Sequence, residues 1–293
     1  MLPPAKGAVM KNGITLAVGV LFLITALTMT AQPAAKTNQI TINYVPPENP
    51  AHQPIYELLK GRHSLERLQE FLSPFRLPWP LKISLEGCDG EPDAMYSDDK
   101  ITICYEYIEE LQKYMATETT PAGIQPIDTV IGPFVDTVLH EFAHALFDYH
   151  DIPILGREED AADQVAASIY LQAVGNEEDR RLITGTVWAY LMEVQDTDPP
   201  DMEEYADEHS TAEQRAINLV CLAYGSNPKL FWDLPALAEL PEYRVDICEE
   251  EYELISMAYQ ALIGPYIDTE LAKKVYGKNW LPKKTSKMLI RKP

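Results

Sequence analysis

The sequence predicts a mostly helical α+β domain with a small mixed sheet. Two segments, 81–85 and 100–105, alternate apolar and polar residues in the manner of half-buried strands. The connection between them is rich in Gly, Pro and Asp and includes residues 94–96. From Pro133 to about Tyr149, apolar residues instead recur at helical spacing, with the proline at the first turn. This segment is the strongest predicted helix.

Weaker patterns complete the expected fold. A short alternating run at 40–44 predicts an edge strand, and a helical pattern at 55–71 is interrupted near Gly61. A second clear helix is expected at about 158–174, where acidic residues suit the helix N-terminus. The other expected helices lie at 105–115, between Leu182 and Tyr224, and at 249–263.

The first 35 residues differ from the rest of the chain. Lys6 and Lys11 precede an uncharged stretch from Gly13 to Gln32, which is the arrangement of a secretory signal. Its apolar core, 14–29, is shorter than the roughly 20 residues of a membrane-spanning helix. An uncleaved anchor in the inner membrane stays open, because no clean Ala-x-Ala cleavage site is present. We expect residues 1–35 to be a signal peptide or an N-terminal anchor, and the protein to be exported, either periplasmic or secreted.

The remaining chain is expected to form one domain, 36–272, followed by a tail, 273–293, that is rich in lysine and arginine and contains no acid. The whole chain has 45 acidic and 24 basic side chains, a formal charge of -21. Such a charge repels phosphate backbones, and no glycine-rich phosphate loop precedes a helix. Nucleic acid is therefore not an expected partner.

The four cysteines are Cys88, Cys104, Cys221 and Cys248, and no two of them form a Cys-x-x-Cys pair. They therefore give little support to a cysteine zinc site. An even number of cysteines in an exported chain favours disulfides. Of the three possible connectivities, closeness in sequence favours Cys88 with Cys104 and Cys221 with Cys248. Four buried free thiols are the alternative.

The strongest predicted helix contains His140-Glu141-Phe142-Ala143-His144. Side chains four residues apart project from one helix face, so His140 and His144 can hold one Zn²⁺ per chain. Zinc lowers the pKa of a coordinated water to about 7, and a carboxylate beside it, here Glu141, can accept the water's proton as general base. The motif predicts a zinc-dependent metallopeptidase that acts on a peptide or protein substrate.

A zinc site of this kind needs a third protein ligand. The candidates open the second clear helix, where Glu159 and Asp163 share one face. Two helices joined by a short loop run antiparallel, which brings the start of the second near the end of the first. We choose Glu159 as the ligand, with Glu158, about 100° round the helix, as the alternative. His150 follows His144 without the spacing of a metzincin ligand.

These residues carry a resemblance to known families. The pattern His140-Glu141-x-x-His144, Glu159-x-x-Ala162-Asp163 and His209 followed by Arg215 resembles the site motifs of gluzincins related to the M48 peptidases. Over most of the chain after residue 35, the sequence also resembles the metallopeptidase family DUF4344. That resemblance rests on Cys88, Ala94-Met95-Tyr96, Ile103-Cys104-Tyr105-Glu106, the zinc motif, residues 158–164, Gln214-Arg215, Cys221 and Tyr224-Gly225. It implies a zincin-like fold around an active-site helix and a zinc-dependent activity.

The M48 comparison is limited to the site, because no stretch after residue 35 is apolar enough to span a bilayer. Carried over residue by residue, it implies that Asp163 pairs with Arg215 and holds two later helices together. It also implies that His209 donates a hydrogen bond to the oxyanion that develops during hydrolysis. The plainer interpretations are an exposed histidine for His209 and a surface ion pair for Arg215.

Two other functions remain open on the sequence. A non-catalytic exported scaffold could keep a zincin fold and its zinc for stability, but an intact Glu141 argues against it, since a structural site has no use for a carboxylate beside an open metal position. A zinc amidase acting on a non-peptide amide would use the same residues. For the peptidase, we expect an edge strand at 101–104 to pair with an extended substrate.

Overall fold

Helices dominate the computed structural model, which describes residues 36–37, 39–120, 123–196 and 200–278. The strands are β1 (Lys36–Thr37), β2 (Ile40–Tyr44), β3 (Arg76–Leu77), β4 (Leu81–Glu86), β5 (Ala94–Ser97) and β6 (Lys100–Cys104). The helices are α1 (Gln53–Gly61), α2 (Ser64–Phe71), α3 (Tyr105–Lys113), α4 (Asp128–His150), α5 (Glu158–Leu171), α6 (Glu177–Asp196), α7 (Met202–Ala206), α8 (Ala212–Ser226), α9 (Leu234–Leu237), α10 (Glu242–Val245), α11 (Cys248–Leu262) and α12 (Thr269–Tyr276). The α+β class is confirmed.

The main sheet has the strand order β2-β4-β6-β5. The first three strands are parallel, and β5 runs antiparallel to β6, so the sheet is mixed as predicted. The prediction that 101–104 form an edge strand is wrong, because β6 pairs with β4 on one side and with β5 on the other. One edge of the sheet belongs to β2, as predicted, and the other belongs to β5.

The strand β5 lies in the segment predicted as a connection. It is four residues long, and its hairpin to β6 turns through Asp98 and Asp99, whose φ angles are 50° and 60°. Two consecutive residues with positive φ are the mark of a type I′ hairpin turn, for which Asn-Gly and Asp-Gly are the usual sequence signals. Asp-Asp tolerates this backbone but gives a much weaker signal, so the sequence pattern does not reveal the strand.

The helix α4 runs through the helical part of the fold and packs most extensively against α6 and α5. It begins five residues before Pro133, the residue predicted at its first turn. The start is held by Asp128, whose Oδ2 accepts a hydrogen bond from the Gln125 N–H at 2.8 Å. Arg181 of α6 donates two further hydrogen bonds to the same carboxylate, at 2.9 and 2.7 Å. Tertiary contacts therefore extend the helix beyond its proline.

Close backbone packing joins the first half of α4 to α6. A Cβ atom added at Gly132 would lie 2.3 Å from the carbonyl oxygen of Leu182, and one added at Gly185 would lie 2.2 Å from that of Asp128. Only glycine allows this approach, because such distances are far below van der Waals contact. The two glycines thus determine how closely α4 packs against α6. This packing in turn helps to position the predicted zinc motif at the other end of α4.

Several further predictions can be compared with the structure. The break near Gly61 separates α1 from α2, and three helices, α6 to α8, lie where two or three are expected. The helix α12 continues past residue 272, where the basic tail is predicted to begin, while residues 279–293 and the predicted signal or anchor at 1–35 lie outside the described residues. No helix in the described ranges combines the length and apolar character needed to cross a membrane.

Two disulfides join the pairs that closeness in sequence favours, Cys88 with Cys104 and Cys221 with Cys248. The first ties the loop before β5 to the end of β6. The second ties α8 to the first residue of α11. Such bonds form and persist mainly in oxidising compartments, so they fit an exported protein.

Mass mapping of the oxidised protein is expected to find both linkages and no free thiol. Replacing Cys221 and Cys248 by serine should lower the free energy of unfolding by about 2–4 kcal/mol, because the unfolded chain regains the freedom that the cross-link removes. Urea unfolding followed by circular dichroism measures this change. Four alkylatable thiols in the non-reduced, denatured protein would contradict the assignment.

Candidate metal centre

The end of α4 and the start of α5 bring the zinc motif and the downstream acids together. The chain leaves α4 through Asp151, which has a φ of 48°, and turns again at Gly156, which has a φ of 99°. This short reversal lays the first turn of α5 beside the last turns of α4. His140, His144 and Glu159 meet there, in the antiparallel arrangement that the short loop predicts.

Three donor atoms lie close to one another. His140 Nε2 is 2.9 Å from Glu159 Oε2 and 3.1 Å from His144 Nε2, and His144 Nε2 is 3.3 Å from Glu159 Oε2. Ligands at about 2.0–2.1 Å from a tetrahedral zinc ion stand roughly 3.3–3.4 Å apart. The three atoms are therefore spaced as the ligands of one metal ion would be, drawn together by a few tenths of an ångström.

Each of the two imidazoles has a carboxylate at its other nitrogen. His140 Nδ1 lies 2.8 Å from Asp163 Oδ1, and His144 Nδ1 lies 2.9 Å from Glu158 Oε1. A carboxylate at Nδ1 favours the tautomer whose Nε2 lone pair is free for a metal. Glu158 thus lies behind an imidazole, whereas Glu159 lies between the two Nε2 atoms. This arrangement separates the two acids that the sequence leaves as alternatives.

Asp163 connects the cluster to α8. Its two oxygens accept hydrogen bonds from Arg215 Nε and Nη2 at 2.9 and 2.8 Å, which is the pairing that the M48 resemblance implies. The guanidinium also lies over the Tyr190 ring, 5.0 Å from its centroid. The additional contact with His140 is not expected from the sequence, where the only hint is that Asp163 shares a helix face with Glu159. A single carboxylate thus orients an imidazole and anchors a neighbouring helix.

Electrostatic effects within the cluster favour the positively charged form of the His140 imidazole. Burial by itself lowers the pKa of His140, but the hydrogen bonds to Asp163 and Glu159 outweigh it and raise the pKa to about 9. The same contact with His140 is the largest of the effects that lower the pKa of Glu159 to about 2. An imidazole that keeps a proton between two carboxylates occupies a place where a cation is stabilised. The residues present therefore fit a metal ion.

Glu141 is buried next to β5 and close to both histidines of the motif. Burial is the main reason why its pKa is raised to about 7, and the nearby backbone N–H of Tyr96 acts in the opposite direction and lowers it. In an antiparallel pair, the backbone of every second residue forms hydrogen bonds with the partner strand. The carbonyl of Asp93 accepts such a bond from β6, so Met95 and Ser97 also face β6. The N–H of Tyr96 therefore points away from β6. The Tyr96 hydroxyl donates to Asp148 Oδ2 at 2.6 Å. The edge strand is thereby held against α4.

The loop between α7 and α8 carries His209 to the same cluster. His209 Nε2 lies 2.9 Å from Glu159 Oε2, and the His209 ring stacks on that of His140 with 5.9 Å between centroids. Donor atoms of His140, Glu159 and His209 all lie within 4.8 Å of one another. The His209 side chain is 47% exposed. The sequence left two interpretations of His209 open, an exposed histidine and a residue of the site. His209 is in fact partly exposed and also lies at the site.

A second group of residues with potential metal-binding side chains consists of Cys88, Cys104 and Glu106. These three residues lie close together for structural reasons. The two sulfur atoms are bonded to each other, so neither is available to a metal. Glu106 accepts hydrogen bonds from the backbone N–H groups of Cys88 and Gly90 at 3.0 and 3.2 Å. This group supports the loop before β5.

Arg157, which the sequence patterns do not single out, holds the loop that carries His209. Its Nε donates to the carbonyl oxygen of Glu208 at 3.1 Å and its Nη2 to that of Asp207 at 2.5 Å. One turn further along, Asp160 accepts a hydrogen bond from the Ser210 hydroxyl at 2.5 Å. The start of α5 therefore fixes the loop on both sides of its histidine.

Replacing Arg157 by glutamine is expected to lower turnover about tenfold, while metal content stays the same. A tenfold change corresponds roughly to the free energy of one hydrogen bond from a charged group. The reason is that the loop loses both bonds to its backbone carbonyls, so His209 is positioned less well. Turnover and bound metal should be measured together, with Arg76→Gln as the control at an arginine that pairs with Asp268 instead. Loss of metal would show that Arg157 supports the ligands themselves.

The comparisons with known proteins agree with this geometry. A family model, DUF4344, with the description "Putative metallopeptidase", matches residues 44–263. That range contains α4, α5, both disulfides and all the residues of the cluster. No curated protein and no solved structure matches the chain. Because the model covers most of the sequence, the resemblance is confirmed, and the chain belongs to the metallopeptidase family DUF4344.

Proposed function

We propose that the protein is an exported zinc metallopeptidase of the gluzincin type, with one zinc ion held by His140, His144 and Glu159. The observation that carries the proposal is the set of three donor atoms at separations of 2.9–3.3 Å with Glu141 buried beside them. Two imidazoles, one carboxylate and an open fourth position are the ligand set of catalytic zinc sites such as those of thermolysin and carboxypeptidase A. Family membership supplies the coarser statement that a metal ion and peptide substrates are involved.

When bound, zinc polarises the scissile carbonyl and acidifies the attacking water. Glu141 accepts the proton that this water loses and then passes it to the nitrogen of the departing amine, so one carboxyl serves both halves of the hydrolysis. Burial in itself favours the protonated form of this carboxyl, so it opposes loss of the proton between these two steps. The nearby backbone N–H of Tyr96 helps to orient the carboxylate.

His209 is proposed to donate a hydrogen bond to the carbonyl oxygen as negative charge develops on it. The competing role is that of a fourth protein ligand, which would complete a tetrahedral site and leave no position for water. The exposed position of His209 and the presence of Glu141 favour the catalytic role, because a closed site needs neither. Asp163, fixed by Arg215, is proposed to keep His140 in its metal-binding tautomer.

An extended substrate is proposed to pair with β5. Backbone groups on the free side of an edge strand can bond to an added peptide, and alternate side chains then determine specificity. The Tyr96 N–H lies on this side and close to Glu141, so a peptide that pairs with the other backbone groups of β5 would pass the general base. This replaces the pairing expected for 101–104, whose backbone is occupied within the sheet.

The two disulfides favour an oxidising compartment, which supports export to the periplasm or out of the cell. The signal peptide or anchor at 1–35 remains a prediction. Of the alternative functions, the non-catalytic scaffold has no use for a buried carboxylate beside the donors. A zinc amidase would use the same groups, so only substrates can separate it from a peptidase.

Metal analysis of the purified mature protein should find about one zinc per chain. Incubation with unfolded proteins and a peptide library should show cleavage. The His140→Ala/His144→Ala double variant is expected to lose both zinc and activity, whereas His63→Ala, a change at an exposed histidine, should lose neither. Stoichiometric zinc in the double variant would place the site elsewhere, and hydrolysis confined to non-peptide amides would favour the amidase.

A further inference from the structure

The helix α11 has apolar residues on two opposite sides. Cys248 and Tyr259 are buried on the side that packs against α8 and α5. The opposite side, the outer face of α11, is exposed, with Leu254 55% and Met257 61% accessible to solvent. The residues of the outer face recur at helical spacing and are Ile247, Glu250, Leu254, Met257, Ala258 and Ala261. Helices that are apolar all round are usually covered all round, so the outer face is expected to have a partner.

The outer face of α11 also bears negative charge. Glu250 lies within the apolar stripe, and Glu253 lies at its border, four residues before Met257. Both carboxylates are exposed, and neither forms an ion pair with a residue in the described ranges. Glu251, which points toward the protein, does pair with Arg244, at 2.7 Å. A partner for the outer face should therefore combine apolar and basic side chains.

The last described helix, α12, ends close to α11. Burial raises the pKa of Tyr276 at the end of α12, and the neighbouring Tyr259 of α11 raises it further, so the two side chains lie near each other. The outer face lies on the far side of α11, and a helix with its side chains is about 10–12 Å across. The 15 residues 279–293 follow Lys278, and an extended chain of that length spans about 50 Å. The chain that leaves α12 can therefore reach the outer face.

Residues 279–293 also have the composition that the outer face requires. They include five Lys or Arg and no Asp or Glu. Their large apolar residues form two groups, Trp280-Leu281 and Met288-Leu289-Ile290, with Lys283, Lys284 and Lys287 between them. The seven steps from Leu281 to Met288 span about 23 Å in an extended chain. The outer face is about 21 Å long from Ile247 to Ala261, so the two apolar groups match its length.

We propose that residues 279–293 bind within the same chain along the outer face of α11. The two apolar groups of this segment pack against the apolar stripe, and the lysines between them pair with Glu250 and Glu253. A second copy of the chain suits the outer face less well, because two such faces in contact would oppose acid to acid. The proposal does not depend on the proposed peptidase activity.

Carbodiimide coupling of the full mature protein, followed by mass mapping, tests the contact, because this reagent joins an amine directly to a carboxylate beside it. We expect linkages within one chain from the lysines of the segment to Glu250 and Glu253. Leu254→Ser/Met257→Ser removes apolar surface and leaves both carboxylates, so it should lower the yield of these linkages about tenfold. Leu155→Ser/Met202→Ser is the matched control, since it also replaces an exposed leucine and an exposed methionine, but outside α11. The control should leave the yield unchanged.

A charge exchange tests the ion pairs separately. Glu250→Lys/Glu253→Lys should lower the melting temperature by roughly 2–4 °C, because attraction to the segment becomes repulsion. Adding Lys283→Glu/Lys284→Glu to the same protein should restore it. A melting temperature that the added exchange does not restore would contradict the proposed pairs.

Three results of the coupling experiment would overturn the proposal. Linkages that join two chains, which separation by size reveals, would identify a second copy as the partner of the outer face. Linkages to the exposed acids Glu48 and Glu91, in loops beside the sheet, as often as to Glu250 would show attraction without a defined site. A yield that Leu254→Ser/Met257→Ser leaves unchanged would show that the apolar stripe takes no part.

Discussion

Glu141→Gln is expected to retain zinc and to lose hydrolysis by a factor of about 10²–10⁴. Glutamine has nearly the same shape as glutamate, and Glu141 is not among the proposed ligands, so the donor set stays complete. An amide cannot accept the proton of the attacking water, and the burial of this position leaves little room for a substitute base. Metal analysis and turnover on an unfolded protein substrate, measured on the same preparation, give both quantities.

Glu109→Gln is the control for this experiment, because Glu109 is 56% exposed and contacts His52, away from the cluster. It should match the wild type in zinc and in turnover. Unchanged turnover in Glu141→Gln would mean that another group is the base. Loss of zinc in Glu141→Gln would mean that Glu141 itself contributes to metal binding.

Glu159→Gln is expected to weaken zinc binding beyond the roughly 10–100-fold change that is typical when a carboxylate behind a ligand is removed. The reason is that its Oε2 stands between the two Nε2 atoms, so its loss leaves only two imidazoles to hold the ion. Turnover should fall with occupancy and recover in part when zinc is added. Competition with a chelator of known affinity measures the change.

Glu158→Gln provides the matched comparison, one residue away on the same turn. Its carboxylate contacts His144 Nδ1, so its removal should weaken zinc binding within the roughly 10–100-fold range and no further. The order of the two effects is the decisive result. If Glu158→Gln loses more zinc than Glu159→Gln, then Glu158 is the ligand and the proposed donor set is off by one residue.

The parts of the fold that the sequence predicts well are those with local signals. Helical periodicity locates α5 and α11 to within a few residues, and alternation locates β4 and β6. The start of α4 is mispredicted because contacts from Arg181 on another helix, rather than Pro133, decide where it begins. The edge strand β5 is missed because its place in the sheet depends on which strand pairs with β6. Neither the contacts of Arg181 nor the pairing of β5 with β6 produces a periodic pattern in the local sequence.

By itself, the sequence determined which residues are candidate metal donors, because a spacing of four on a helix puts His140 and His144 on one face. It also narrowed the third donor to two adjacent acids. Only the tertiary structure decided that Glu159 lies between the Nε2 atoms while Glu158 lies behind an imidazole. It likewise decided that Arg157 holds the loop of His209. These outcomes depend on how α4, α5 and the α7–α8 loop pack together, and packing between elements distant in sequence leaves no local periodicity to read.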